Sequence, residues 1–141
     1  MSTASAVLWP VFALAFWTLC MLLLVALRRL RSGIHPREYA LGDSAKASPA
    51  VTLANRNYMN LLELPVLFYV ACLMAYVSGT ASGVLLALAW TYVLLRVLHS
   101  LVHVSYNKVA HRFVVFVASN LVLTLLWVCL GLQLAAQGKP V

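Results

Sequence analysis

Asn60 and Glu63 lie in one apolar segment of this 141-residue chain, and Arg96 and His99 lie in another. A charge held in hydrocarbon costs several kcal/mol unless it is paired or hydrated, so such residues mark a functional site by default. Their neighbours keep helical register. Arg56, Asn60 and Glu63 stand at i, i+4 and i+7, while Tyr92, Arg96, His99, His103 and Tyr106 follow at steps of four, three, four and three. Each set therefore occupies one face of a helix. The chemistry on offer is recognition of a charged organic ligand: guanidinium groups for carboxylates, a carboxylate for an ammonium, and amide and imidazole groups for hydrogen bonds. With Arg29, Arg56 and Arg112 at the mouth, the residues read as a cationic funnel. It suits a ligand with two carboxylates and an ammonium, such as a small acidic peptide.

Depth supports pairing between the two segments. Glu63 is seven residues in from Arg56 and Arg96 is eight residues in from Val104. At about 1.5 Å per residue, both sit roughly 10–12 Å below the same surface. Glu63 with Arg96 is the expected ion pair, and Asn60 with His99 the expected hydrogen-bonding pair. Two other readings use the same residues. Membrane helices employ polar side chains as interhelical glue. His99 and His103 at i, i+4 with Glu63 nearby also resemble a His/carboxylate metal set, although Arg96 in that layer would repel a divalent cation.

The elements that carry these residues are membrane spans. The chain is 64% hydrophobic and 9% charged, against about 45–50% and 25% for soluble domains. This predicts a polytopic, all-α membrane protein with a single domain over residues 1–141. Apolar runs at 6–27, 57–77, 84–103 and 113–135 each reach the roughly 20 residues needed to cross a bilayer. The predicted bundle has helices at about 6–27, 49–77, 84–104 and 112–135. The first run lacks the basic flank and small-residue cleavage site of a signal peptide, so it is read as a helix. Ser48-Pro49 looks like an N-cap followed by a first-turn proline, and Pro65 should kink the second span. The short links at 78–83 and near 106–108 make spans two and three, and three and four, antiparallel neighbours.

Arg28, Arg29, Arg31, Arg37, Lys46 and Arg56 fall between the first two spans or at their edges, and Lys108 and Arg112 between the last two; Lys139 stands alone on the other side. The positive-inside rule then places both basic loops in the cytosol and both termini outside. The formal charge of +7 is this topology signal together with lipid headgroup contacts, not a nucleic-acid-binding surface. Cys20, Cys72 and Cys129 form no C-x-x-C pair and read as packing residues. Residues 138–141 carry no retention signal, which favours a bacterial inner membrane over the endoplasmic reticulum.

The run Arg56-x-x-x-Asn60-x-x-Glu63-x-Pro65, with Arg96-x-x-His99 in the third span and Arg112 opening the fourth, resembles the MAPEG family. These are membrane-associated proteins in eicosanoid and glutathione metabolism, including the microsomal glutathione transferases. The resemblance covers nearly the whole chain. It implies a homotrimer of four-helix subunits with glutathione in a cleft between neighbours, open to cytosol and membrane. Position by position, Arg56, Asn60, Glu63 and His99 match glutathione contacts. Arg29 looks like an arginine that reaches a glutathione carboxylate, Arg96 like the buried third-helix arginine, and Arg112 like the arginine that stabilises the thiolate. The expected partners are glutathione as co-substrate, a lipophilic electrophile from the bilayer, and lipids. Many relatives have a tyrosine where His103 stands, and a histidine there can act as acid or base or hydrogen-bond the ligand. The implied activity is therefore a general glutathione transferase or peroxidase rather than a prostaglandin or leukotriene synthase. A non-catalytic glutathione-binding or structural protein of this fold is the alternative. A small multidrug transporter fits less well, because its acid sits in the first helix and its loops are minimal.

Overall fold

A computed structural model describes residues 3–42 and 44–138. In order they form α1 (Thr3–Ala6), α2 (Leu8–Arg31), a 3-10 turn (Pro36–Tyr39), α3 (Pro49–Leu62), α4 (Pro65–Val77), α5 (Gly83–Val104) and α6 (Val109–Gln137). Four stretches are long and apolar enough to cross a membrane: Leu8–Arg31, Pro49–Val77, Gly83–Val104 and Val109–Gln137. The protein is an all-α, multi-pass membrane bundle. Lys139, one of the residues used to orient the chain, lies outside the described residues.

Large apolar side chains point outward along every span: Phe12, Phe16 and Leu23 on α2, Leu73 and Val77 on α4, Leu94 on α5, and Leu121, Leu125 and Leu132 on α6 are all exposed. In water such a surface would drive aggregation. In a bilayer it faces hydrocarbon. Inside, Leu14, Phe68, Leu85, Ala89, Tyr92, Leu126 and Leu130 are fully buried. Ala71, Ala75 and Ala89 bring small side chains into this core, letting helix backbones approach closely.

Two helix ends depart from the hydropathy pattern. The first spanning helix continues through Arg28, Arg29 and Arg31, because arginine is a good helix former and cations suit a helix C-terminus. The last begins at Val109, so Arg112 is one turn inside it, its N–H bonded to the Lys108 carbonyl at 3.0 Å. Arg28 ties the basic end of the bundle together, donating to the Ala50 carbonyl at 2.7 Å and the Val104 carbonyl at 3.4 Å. The long first loop folds back on itself through Lys46–Glu38 at 2.9 Å.

The second span does more than kink. α3 stops at Leu62, α4 starts at Pro65, and Glu63 between them takes φ −83°, ψ −100°. Pro65 has no N–H to continue the helix and its ring crowds the preceding turn. The chain restarts through tight turns, Val66 N–H to the Glu63 carbonyl at 3.2 Å and Leu67 N–H to the Leu64 carbonyl at 3.0 Å. Ser48 does occupy the N-cap of α3 with Pro49 behind it, but its side chain makes no capping bond; its carbonyl accepts from Val51 and Thr52 instead.

Candidate functional site

A broken helix leaves the carbonyls of its last turn without intrahelical partners. Asn60 is in that turn, and the guanidinium of Arg96 donates to its carbonyl oxygen. Arg96 is completely buried. Its charge thus sits at the negative end of the α3 dipole, and it lies 5.9 Å from the centre of the Phe116 ring.

This overturns both expected side-chain pairs. Among the described residues no carboxylate forms an ion pair with Arg96. The break turns Glu63 outward, where it is exposed, and backbone oxygen takes the place intended for the carboxylate. Nor does Asn60 bond His99. Its side-chain amide donates to the Arg56 carbonyl one turn back, at 2.9 Å. Matching depth did bring α3 and α5 into register, but the partner is main chain.

In front of Arg96 opens a cavity of about 420 Å³, within the roughly 300–1,000 Å³ common for small-molecule sites. Arg56, Asn60 and Glu63 line it from the second span, His99 and His103 from α5, and Arg112 from α6. His99 and His103 are each 3% exposed, with ring centres 5.6 Å apart in an edge-to-face arrangement. Neither ring nitrogen of His103 has a partner among the described residues. Phe116 packs against His99 at 5.7 Å. No group of three His, Cys, Asp or Glu among the described residues is arranged to hold a metal.

Two arginines of the expected funnel are not in its wall. Arg96 lies behind it, as described. Arg29 is held elsewhere: it donates to the Gly42 carbonyl at 2.6 Å and to Asn55 Oδ1 at 3.0 Å, and its guanidinium stacks on Tyr39 at 4.7 Å. It lines a separate groove between α2 and the first loop. Gly42, with φ +89°, adopts the left-handed turn that presents this carbonyl. The α5 polar stripe also divides. Tyr92 stacks on Phe68 at 4.8 Å in the core, whereas Tyr106 is exposed and bonds His111 at 3.1 Å.

The pocket's apolar wall was missed in the sequence. Met59, Val109, Phe113 and Phe116 line it among the polar groups. A signal was present, because Val109, Arg112, Phe113 and Phe116 fall at helical spacing on one face of α6. Within an apolar span, apolar pocket residues have no contrast with the residues that face lipid. The arrangement can therefore hold a ligand that combines anionic, hydrogen-bonding groups with an apolar one.

The family model for the MAPEG family matches residues 7–132, most of the chain. No curated protein and no solved structure matches the chain significantly.

Proposed function

The chain belongs to the MAPEG family, and on that premise we propose that it is a glutathione transferase acting on lipophilic electrophiles. The observation that supports this most is one pocket lined both by Arg56, Asn60, Glu63, His99, His103 and Arg112 and by Met59, Val109, Phe113 and Phe116. Glu63, not in salt-bridge contact with Arg96, is available to the ammonium of the γ-glutamyl end, and Arg56 to a carboxylate. Arg112 favours the thiolate over the thiol, since a nearby fixed cation stabilises the anion. The thiol proton leaves to solvent. The thiolate then forms a sulfur–carbon bond with the electrophile as the leaving group departs with its electron pair, and no covalent enzyme intermediate is needed. Lipid hydroperoxides are a second electrophile class for the same thiolate.

The electrophile approaches from the bilayer past Val109 and Phe113, both exposed beside the pocket. We place the basic loops in the cytosol and both termini outside, in a bacterial inner membrane. We also propose a homotrimer, in which Arg29 acts on the ligand of a neighbouring subunit.

The test is to titrate glutathione into the detergent-solubilised protein and follow thiolate absorbance in the ultraviolet. A saturable signal at neutral pH, lost in Arg112→Ala while calorimetry still shows binding, is the expected result. No signal and no binding would sink the proposal. Binding without a thiolate or any turnover would favour the non-catalytic alternative, which the histidine at 103 keeps in play.

A further inference from the structure

Arg112 is a long side chain at the start of a helix, and a cation that is to act on a sulfur needs to be held in place. Its Nη1 donates to Asn107 Oδ1 at 2.8 Å. Asn107 is the one described non-glycine residue with a left-handed backbone, φ +45°, in the turn between α5 and α6. Its own N–H bonds the Val102 carbonyl at 2.9 Å, and the next residue after Val102, His103, lines the pocket. Asn107 thus joins the end of one pocket helix to the start of the other.

The turn by itself does not call for asparagine. Glycine adopts this backbone at lower cost, and only the amide oxygen reaches Arg112. We propose that Asn107 is a positioning residue, which fixes the Arg112 guanidinium at the mouth of the pocket and so sets how strongly the protein stabilises a bound thiolate. This rests on the glutathione reading above. Among the described residues, Asn107 takes one of the five guanidinium N–H donors, which leaves donors for the ligand.

The experiment is a double-mutant cycle on the full-length protein in detergent, with glutathione as the probe. The thiolate absorbance of bound glutathione is followed as a function of pH, into the alkaline range, for the unsubstituted protein, Asn107→Gly, Arg112→Ala and the double variant. Asn107→Gly keeps the turn and removes the anchor. Its midpoint should rise by about one pH unit, a tenfold loss of thiolate below the midpoint, with glutathione affinity changed by less than about threefold. In the Arg112→Ala background the same substitution should have no further effect, as for residues that act through one another.

A midpoint in Asn107→Gly equal to that of the unsubstituted protein overturns the inference, and so does an equal shift in both backgrounds, which marks a purely structural turn. A lowered midpoint overturns it too, since it would mean that Asn107 holds Arg112 away from the sulfur. If Arg112→Ala abolishes the thiolate and Asn107→Gly does not disturb it, only the positioning role falls. If the unsubstituted protein shows no thiolate at all, the glutathione reading falls and takes this inference with it.

Discussion

Pro65→Ala asks what holds the second span open at Glu63. If the helix healed, Leu64 N–H would return to the Asn60 carbonyl, and the N–H gained by the substituted alanine would reach the Leu61 carbonyl. Two backbone hydrogen bonds at about 0.5–1.5 kcal/mol each would favour healing by about 1–3 kcal/mol. Against this stands Arg96, fully buried, with the Asn60 carbonyl as its hydrogen-bond acceptor and its Nε and Nη1 unpartnered among the described residues. Leaving a buried guanidinium N–H without its acceptor costs more than the roughly 1–3 kcal/mol of a neutral group. That cost outweighs the gain, so Pro65→Ala should keep the break. Hydrogen exchange on the peptide spanning 61–66 should stay fast, and glutathione binding should survive. Adding Arg96→Met removes the buried charge and with it the opposition to healing, and the double variant should exchange slowly there. Slow exchange with loss of binding in Pro65→Ala alone would prove this balance wrong, because the proline would then be the only thing holding the helix apart.

Other substitutions separate ligand contacts from structural ones. Glu63→Gln should weaken glutathione binding by about 1.5–3 kcal/mol, the range for a hydrogen bond to a charged group, and leave thermal unfolding in detergent unchanged, since Glu63 is exposed and pairs with no described residue; an equal loss of stability would count against a ligand role. Arg28→Ala should do the reverse, lowering stability by about 1 kcal/mol through the Ala50 and Val104 carbonyls with glutathione affinity retained in calorimetry. Arg29→Ala should speed proteolysis of the loop around Gly42, whose carbonyl it holds; an undisturbed loop would show that this contact is incidental. Chelator treatment should leave glutathione binding as it was, and a loss restored by a divalent metal would revive the His99/His103/Glu63 metal reading.

The spans and the polar faces were legible because they are written in periodicity. A run of about 20 apolar residues has one solution in hydrocarbon, and a 3.6-residue period fixes which side chains share a side. Thus Arg56, Asn60 and Glu63 do reach one cavity with His99, His103 and Arg112. Partners were not legible, because periodicity concerns side chains and Arg96 chose a carbonyl. Every residue carries a carbonyl, and only a local accident of the backbone, here the break before Pro65, makes one available. The contacts of Arg29 were hidden for a related reason. Its contacts, Gly42 in the loop and Asn55 on α3, lie 13 and 26 positions away and leave no periodic trace.

The choice of a carbonyl over a carboxylate bears on function. Had Glu63 neutralised Arg96, the site would have lost its one carboxylate to structure, and its polar groups would have been cations and hydrogen-bonding groups alone, fit for a simple dianion. The α3 terminus offers Arg96 a fixed partial negative charge instead, already desolvated and without a titrating proton. The buried cation is then held by main chain, and Glu63 remains at the pocket for a ligand cation. A zwitterionic peptide with an ammonium and two carboxylates needs that separation of roles. Accordingly, Arg96→Gln should cost stability and pocket shape together, whereas Glu63→Gln should cost ligand affinity alone. The two effects, read by thermal unfolding and by calorimetry on the same preparations, would come apart only if backbone and carboxylate divide the work in this way.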